Sequence, residues 1–89
     1  MTLEFDPAQS ARTKADPKCG LDFVEARQLW LDPDRLEVAL PFSAEPRMAV
    51  IGRIGSRTWT AIITRRGDAI RINSVRRSHP KEEVLYEHD

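Results

Sequence analysis

The sequence predicts an α+β domain in which N-terminal helices precede a four-stranded antiparallel meander and a closing helix. Helix-start signals lie in the first third of the chain and again near residue 80. Apolar and polar residues alternate through much of the region from residue 36 to 75, which is typical of strands. The connections between these segments are so short that the strands must be antiparallel. With 89 residues, the chain is expected to form one domain, 1–89.

The first elements are predicted from an acidic residue followed by proline. Residues 3–5 are expected to form a short extended segment. Asp6 can then cap a helix that has Pro7 in its first turn. Pro17 prevents this helix from continuing far, and Gly20 closes the region.

A second helix is predicted to start at Asp22. Glu25 lies three residues further on, so the two side chains can form a capping box. The apolar residues at helical spacing, which should form the buried stripe, are Phe23, Ala26 and Trp30. Asp32-Pro33 is expected to end this helix.

Four strands are predicted to follow. Residues 36–40 alternate between apolar and polar side chains, as expected for a half-buried strand, and 41–46 form a loop. The other strands are placed at 48–53, 57–64 and 69–75, with turns at Gly55-Ser56 and at 65–68. Ser78 or His79 then caps a last helix, from which Leu85 and Tyr86 are expected to pack onto the sheet.

The formal net charge of zero hides an uneven distribution. Residues 1–46 hold 5 basic and 9 acidic residues, residues 47–81 hold 9 and 1, and the last eight hold none and 4. A basic block of this density predicts an anionic ligand. The alternative is a sheet edge whose basic side chains prevent aggregation.

Several classes of protein and site are disfavoured. Cys19 is the only cysteine, so no disulfide can form within the chain. His79, His88 and Cys19 have no partner at a ligand spacing, so we expect no metal and no cofactor. The N-terminus lacks a basic stretch followed by an apolar one, and no apolar run is long enough to span a membrane. We therefore expect a cytoplasmic protein.

The arginines of the last predicted hairpin are the best candidates for binding an anion. Arg71 lies between two isoleucines and should project from the opposite face of the sheet. Simple alternation puts Arg77 on that face and Arg76 on the other, but a bulge near Ser74 would bring Arg76 round. Arg53 is expected on an adjacent strand, within reach.

Two further residues bear on this surface. Asp68 is the only acid between residues 47 and 81, so the arginines lack acidic neighbours in sequence. Trp59 could stack on a base. A position in the core is the interpretation that we favour for Trp59, because a large aromatic side chain anchors a small domain.

Several blocks of the sequence resemble BrnT-type toxins, in order and over nearly the whole chain. They are DPA at 6–8, GLDFVEA at 20–26, DP at 32–33, RMAVIGR at 47–53, TRRGDAIRI at 64–72 and SVRR at 74–77. Glu82 and Tyr86 lie where the closing helix of the family carries Glu and Tyr. The sequence departs from the family pattern at Cys19, where the family has His, and at Asn73 and Glu83.

The resemblance implies a RelE-like fold and a ribonuclease toxin of a bacterial type II toxin–antitoxin system that inhibits translation. It also implies a partner, a BrnA-type antitoxin with a ribbon-helix-helix DNA-binding part. Operator DNA would be contacted only through this antitoxin, in a heterotetramer of two toxins and two antitoxins.

The expected reaction is metal-independent attack of a ribose 2′-OH on the adjacent phosphate. Arginine stays protonated and donates hydrogen bonds in a fork, which suits the charge that develops on the phosphate oxygens. We assign this role to Arg53, Arg71, Arg76 and Arg77. Glu82 is the candidate base and Tyr86 the candidate donor, while Arg66 and Lys81 would hold flanking phosphates.

Two other functions are open to the same sequence. A catalytically weak or inactive homologue would use the same arginines only to bind an acidic antitoxin-like repressor. A DNA-binding transcription factor is disfavoured, because we find no recognition helix with a basic face.

Overall fold

A computed structural model describes residues 2–41 and 46–88 of the chain. The elements in order are β1 (Thr2–Glu4), α1 (Pro7–Ala15), the 3₁₀ helix η1 (Glu25–Leu31), β2 (Leu36–Leu40), β3 (Arg47–Ile54), β4 (Arg57–Arg66), β5 (Ala69–Arg77) and α2 (Pro80–His88). The α+β class and the order of elements are confirmed. Of the loop predicted at 41–46, residues 42–45 lie outside the described part of the chain.

The sheet has five strands, one more than the predicted four-stranded meander. Its strand order is β1-β5-β4-β3-β2. The meander from β2 to β5 is antiparallel, as predicted. The added strand is β1, which pairs in parallel with the start of β5 through Thr2 opposite Ala69 and Glu4 opposite Arg71. The first three residues of the free edge of β5 are thereby covered.

The first helix begins and ends where its capping signals predict. The Asp6 carboxylate accepts a hydrogen bond of 3.0 Å from the amide of Ala8, and Pro7 occupies the first turn. The helix ends at Ala15, because a residue that precedes proline disfavours helical backbone. Gly20 then adopts a φ of 76°, in the left-handed region that glycine enters at no steric cost.

The second helix is a 3₁₀ helix rather than an α-helix, and this changes which residues it buries. The capping box forms as predicted, with Asp22 N to Glu25 Oε1 at 3.0 Å and Glu25 N to Asp22 Oδ1 at 2.7 Å. With about three residues per turn, every third side chain faces the sheet. The fully buried side chains are therefore Phe23, Ala26 and Leu29, while Trp30, predicted to be buried, is only half-buried.

Two tight turns connect the last three strands. Gly55 and Gly67 each open a two-residue turn with φ of 64° and 60°. The residues that follow them do not have positive φ, so both turns are of the II′ kind that matches the twist of a hairpin. The second turn is shorter than predicted, because Arg65 and Arg66 still belong to β4.

One face of the sheet packs against η1 and the residues just before it and forms the core. The buried residues of this cluster include Phe23, Leu29, Val50, Ala61, Ile63, Ile72 and Val75. Trp59 is 6% exposed and belongs to the same cluster, which confirms the core interpretation. Below α1, the Ser10 hydroxyl accepts a hydrogen bond of 2.9 Å from the amide of Phe23 and so satisfies a buried donor.

Residues that are directly opposite across strands share a face, so the register defines three rows on the second face of the sheet. The helix row consists of Leu36, Ile51, Thr60 and Arg76. The middle row consists of Val38, Ala49, Ile62 and Ser74. The outer row consists of Leu40, Arg47, Thr64 and Arg71. The alternation predicted for β2 is present, but Val38 is 39% exposed.

The last helix crosses the second face near the end where Gly55 turns the chain. Its residue Glu82 contacts Arg76 on β5, and its residue Tyr86 contacts Arg53 on β3. The side chains at 82 and 86 are one helical turn apart and face the sheet together. Leu85 therefore does not pack as predicted and is 54% exposed, whereas Tyr86 is half-buried. Neither this helix nor any other in the described residues is long and apolar enough to cross a membrane.

Candidate active site

A β-bulge decides on which face the arginines of β5 lie. Ile62 pairs with Ser74 and Ile63 pairs with Ile72, so Asn73 is an extra residue on β5. The backbone carbonyl of Asn73 accepts a hydrogen bond of 2.7 Å from Gln9 Nε2. The side chain of Asn73 donates from Nδ2 to Thr64 Oγ1 at 2.8 Å. The bulge near Ser74, considered as an alternative to simple alternation, is present, so the placement of Arg77 on the face of Arg71 was wrong.

The bulge inverts the alternation after residue 73. Arg76 now lies on the same face as Arg71, and Arg77 lies opposite Trp59 on the other. Arg53 is also on the face of Arg76. It is two strands from β5, because β4 lies between them, so the expectation of an adjacent strand was wrong.

Arg76 and Glu82 form a two-pronged ion pair between β5 and α2. Arg76 Nη1 donates to Glu82 Oε1 at 2.6 Å, and Nη2 donates to Oε2 at 2.9 Å. Glu82 Oε1 also accepts from the amide of His79 at 2.7 Å, which is the returning half of a capping box for α2. The pair is thus part of the start of the helix, and it fixes α2 to the sheet.

The carboxyl group of Glu82 is held in its ionised form. Its partial burial raises the pKa, but hydrogen bonds from Arg76, from the His79 amide and from Thr60, with the charge of Arg76, outweigh burial and lower it below the usual value. At neutral pH Glu82 is therefore a carboxylate. As long as Arg76 is bound to it, this carboxylate is a weak base.

A second contact joins α2 to the end of η1. The Tyr86 hydroxyl donates to Asp32 Oδ2 at 2.6 Å, and the Arg53 amide donates to the same oxygen at 2.8 Å. The guanidinium carbon of Arg53 lies 5.7 Å from the centroid of the Tyr86 ring, within the range of a cation–π contact. Asp32 therefore links the end of η1, the end of β3 and α2.

These contacts keep the proton on Tyr86. The hydrogen bond to Asp32 and partial burial raise the pKa of the Tyr86 hydroxyl, although the charge of Arg53 opposes this. Burial raises the pKa of Asp32. The hydrogen bonds from Tyr86 and from the Arg53 and Asp34 amides lower it by more than burial raises it, so the pKa of Asp32 is below its usual value. A neutral phenol beside an ionised carboxylate follows at neutral pH.

Two clefts lie beside α2 at this end of the sheet. The larger, of about 790 Å³, is lined by Gln28, Leu31, Asp32, Asp34, Arg53, Ile54, Gly55, Tyr86 and Glu87. The smaller, of about 170 Å³, is lined by Arg53, Ser56, Arg57, Thr58, Arg77, Ser78, Glu83 and Glu87. Arg53 and Arg77 belong to opposite faces by alternation, yet both border the smaller cleft at the strand ends.

The structure therefore brings together five of the eight predicted site residues. They are Arg53, Arg76, Arg77, Glu82 and Tyr86. Arg71 lies about 14 Å from Arg76 along β5, given the rise per residue of a strand. Arg66 lies at the end of β4 beside the second turn, and Lys81 is exposed on α2.

The expectation that the arginines lack acidic partners was wrong in part. Arg76 is paired with Glu82, and Arg65 is paired with Glu37 at 2.5 Å. Both acids lie outside the basic block in sequence and reach it through the fold. In contrast, the Arg77 side chain makes no hydrogen bond or ion pair with any residue that the structure describes.

Sequence reasoning missed two residues of this region. Asp32 was interpreted only as a helix end, and nothing local signals its bond to Tyr86. Arg57 does have a signal, because a two-residue turn at Gly55-Ser56 fixes the pairing of Arg57 with Ile54. That register alone places Arg57 at the same strand end as Arg53.

The smaller cleft has the chemistry of an anion site. Guanidinium groups supply fixed positive charge, and the hydroxyls of Ser56, Thr58 and Ser78 are additional hydrogen-bond donors. Among residues 2–41 and 46–88, no three or more His, Cys, Asp or Glu side chains are grouped as a metal ion would require. The described residues thus offer cationic donors to a phosphate.

Comparison with known proteins adds a family. A family model described as "Ribonuclease toxin, BrnT, of type II toxin-antitoxin system" matches residues 5–82. The match begins before α1 and ends in the first turn of α2, so it includes Arg53, Arg76, Arg77 and Glu82 but not Tyr86. No curated protein matches the chain.

Proposed function

The chain belongs to the BrnT family of ribonuclease toxins of type II toxin–antitoxin systems, and we propose that it cleaves RNA at the α2 end of the sheet without a metal ion. The ribose 2′ oxygen would bond to the adjacent phosphorus as the bond from phosphorus to the 5′ oxygen breaks. The 2′-OH loses a proton, and the leaving 5′ oxygen gains one. The products are a 2′,3′-cyclic phosphate and a 5′-OH.

One observation carries this assignment: Arg53 and Arg77 border the same cleft with Arg57 and three hydroxyls. The Arg77 guanidinium makes no contact of its own with the described residues that would compete with a phosphate. Guanidinium donors close to the phosphate stabilise the charge that develops on its oxygens. This supports the cleft as the place where the scissile phosphate binds.

Arg76 does not line the smaller cleft, but an RNA strand that extends from the cleft to the helix row would reach it and so couple substrate binding to the base. A phosphate that shares the Arg76 guanidinium weakens its bonds to Glu82, and the pKa of Glu82 then rises toward its ordinary value. A carboxylate released in this way accepts the 2′-OH proton more readily. Tyr86 remains the candidate proton donor, since its hydroxyl is protonated at neutral pH.

The remaining predicted contacts, like Arg76, Glu82 and Tyr86, do not line the smaller cleft. Arg66, Arg71 and Lys81 stay proposals for RNA binding, and their positions would suit nucleotides away from the scissile bond. Contacts of this kind position the strand without reading its sequence.

The test combines Arg76→Ala with Arg77→Ala. Purified protein is incubated with RNA in EDTA, and the ends of the products are identified. The rate of cleavage by the double variant should fall about 100-fold or more, which is the loss typical of removing donors to a developing charge. Arg27→Ala, an exposed arginine on η1, is the matched control and should cleave as the unchanged protein does. Undiminished cleavage by the double variant would place the site elsewhere.

A specific observation favours a second candidate, a catalytically weak or inactive partner of an antitoxin-like repressor. Arg76 is already paired with Glu82, and Glu83 and Glu87 border the cleft beside Arg77. An anion site that contains its own carboxylates repels a phosphate. Absence of cyclic phosphate ends with the unchanged protein, together with tight antitoxin binding, would favour this candidate.

The family is defined by a toxin–antitoxin system, and the finer description of the partner is part of the proposal. We propose a BrnA-type antitoxin with a ribbon-helix-helix part, a cytoplasmic 2:2 complex, and operator binding only through the antitoxin. Light scattering of the co-expressed pair would measure the stoichiometry. A gel shift with toxin alone should show no operator complex.

A further inference from the structure

The second face of the sheet away from the helix row carries side chains that are partly exposed, although Ala49 and Thr64 within it are buried. This open face consists of the middle row and the outer row defined above. Its middle row is mostly apolar, with Val38 39% exposed on the edge strand β2 and Ile62 half-buried on β4. A hydrophobic face without a covering element is typical of an interaction site.

The helix α2 extends this apolar surface. Glu83 and Glu87 border the small cleft at the Gly55 turn, so the flank of α2 that carries them faces that turn. Successive residues of an α-helix are about 100° apart around the helix axis. Lys81 and Leu85 therefore lie on the opposite flank of α2, and Val84 lies next to that flank on the side away from the sheet. Because α2 crosses the strands, that flank faces the open part of the sheet. Val84 and Leu85 are 52% and 54% exposed.

Cations surround this apolar surface. Arg47 and Arg71 belong to the outer row, and Lys81 lies on the adjoining flank of α2. Within the described part of the chain, none of the three side chains has a hydrogen bond or ion pair. An occupant with apolar side chains between carboxylates would match both the apolar centre and the basic rim.

We propose that the open face, with the Leu85 flank of α2, is the docking site of an acidic, apolar segment of the antitoxin. The inference rests on the proposed function for the existence of that partner. A segment bound along the middle row would lie about 7 Å from the helix row that contains Arg76, the spacing of two residues in a strand. It would thus contact the flank of α2 and exclude RNA from the neighbouring site.

Among the described residues, a second exposed apolar patch lies at the two ends of η1. Val24 and Leu31 are 61% and 81% exposed there. Arg27 is the only basic residue within η1, and Glu25 lies beside it in sequence. The open face is favoured because its three cations provide the complementarity that an acidic segment needs.

The experiment measures binding of purified toxin variants to the antitoxin encoded in the same operon, by calorimetry. The variants are Val38→Asp, Val38→Lys, Leu85→Asp and Leu85→Lys, with Val24→Asp as the matched control on η1. All three positions are exposed, and thermal unfolding is recorded to show that each of the five variants is folded. RNA cleavage by the free toxin is measured in parallel.

The Asp variants should weaken antitoxin binding about tenfold or more, as for a residue at the centre of an interface. The Lys variants should weaken it less, because they keep attraction for carboxylates while losing the apolar contact. Cleavage by the free variants should be unchanged.

Three results would overturn the proposal. The first is antitoxin affinity that is unaffected by all four variants. The second is affinity lost only in Val24→Asp, which would place the partner on η1. The third is RNA cleavage lost in the Asp variants with antitoxin binding intact, which would make the open face an RNA site. If the unchanged protein cleaves no RNA but the Asp variants lose the antitoxin, the proposed function fails and this inference stands.

Discussion

Arg76 on β5 donates two hydrogen bonds to Glu82 on α2, at 2.6 and 2.9 Å, and this pair attaches the last helix to the sheet. No side chain described in α2 is fully buried, so apolar packing contributes little to its position. The helix is held instead by polar contacts at residues 82 and 86. Its attachment should therefore depend on pH.

The first prediction concerns the acid side. The pKa of Glu82 is lower in the folded chain than in the unfolded one, so its contribution to stability is present above the unfolded value of about 4.5 and is lost as pH falls through the folded pKa. Glu82→Gln should lower stability at neutral pH by about 1 kcal/mol, the size of a partly exposed ion pair. The loss should shrink below pH 4, as measured by thermal unfolding from pH 3 to 7 (roughly the range in which a carboxyl group titrates).

The control for this experiment is Glu83→Gln, which changes the neighbouring exposed carboxylate. It should leave the acid limb of the stability profile as it is in the unchanged protein. An acid limb that is identical in Glu82→Gln and the unchanged protein would show that Glu82 is not the group that titrates.

The second prediction concerns the alkaline side. The pKa of Tyr86 is raised in the folded chain, so its hydrogen bond to Asp32 stabilises the fold fully below the unfolded value of 10 and is lost as pH rises through the folded pKa. Tyr86→Phe keeps the ring under Arg53 and removes only this bond. It should cost about 1 kcal/mol at neutral pH, as for one hydrogen bond.

Tyr86 is the only tyrosine of the chain, so its ionisation can be followed by the absorbance of tyrosinate. The midpoint in the folded protein should lie above that in denaturant. Asp32→Asn should bring the two midpoints closer. A folded midpoint at or below the denatured one would contradict the contact.

Local signals predicted most of the elements. Asp6-Pro7 and the Asp22–Glu25 capping box mark helix starts through bonds made within three residues, so no knowledge of the fold is needed. Gly55 and Gly67 likewise mark turns, because each takes a positive φ that other residues avoid. These positions are set by chemistry between near neighbours in sequence.

The errors come from contacts between distant residues. The pairing of β1 with β5 joins residues 2–4 to 69–71, and three residues carry too little pattern to indicate it. The same holds for the site, where Asp32 bonds to Tyr86 across most of the chain. The bulge at Asn73 was foreseen as a condition for Arg76 to share a face with Arg71, but only the register shows that it forms.

The third prediction concerns a buried hydrogen bond in the N-terminal region. The Ser10 hydroxyl accepts from the amide of Phe23, and both residues are buried. Ser10→Ala would leave that amide without a partner, which costs about 1–3 kcal/mol. Chemical denaturation should show this loss. Thr13→Ala, which removes a half-buried hydroxyl bonded to the Gln9 carbonyl, is the control and should cost clearly less.

The fourth prediction tests whether packing against β3 positions Asp32. A Cβ at Gly52 would lie 3.1 Å from Leu29 Cδ2 and 3.4 Å from Asp32 Oδ2. Leu29 is fully buried and cannot move freely, so Gly52→Ala should destabilise the chain by about 1–3 kcal/mol, as overpacking does. It should also lower the pKa of Tyr86 by displacing Asp32.

Leu29→Val frees space beside Gly52. In the double variant, the loss of stability should therefore be smaller than the sum of the two single losses. Additive losses would mean that Gly52 and Leu29 are not in contact, and the close approach of η1 to β3 that positions Asp32 beside Tyr86 would then be wrong.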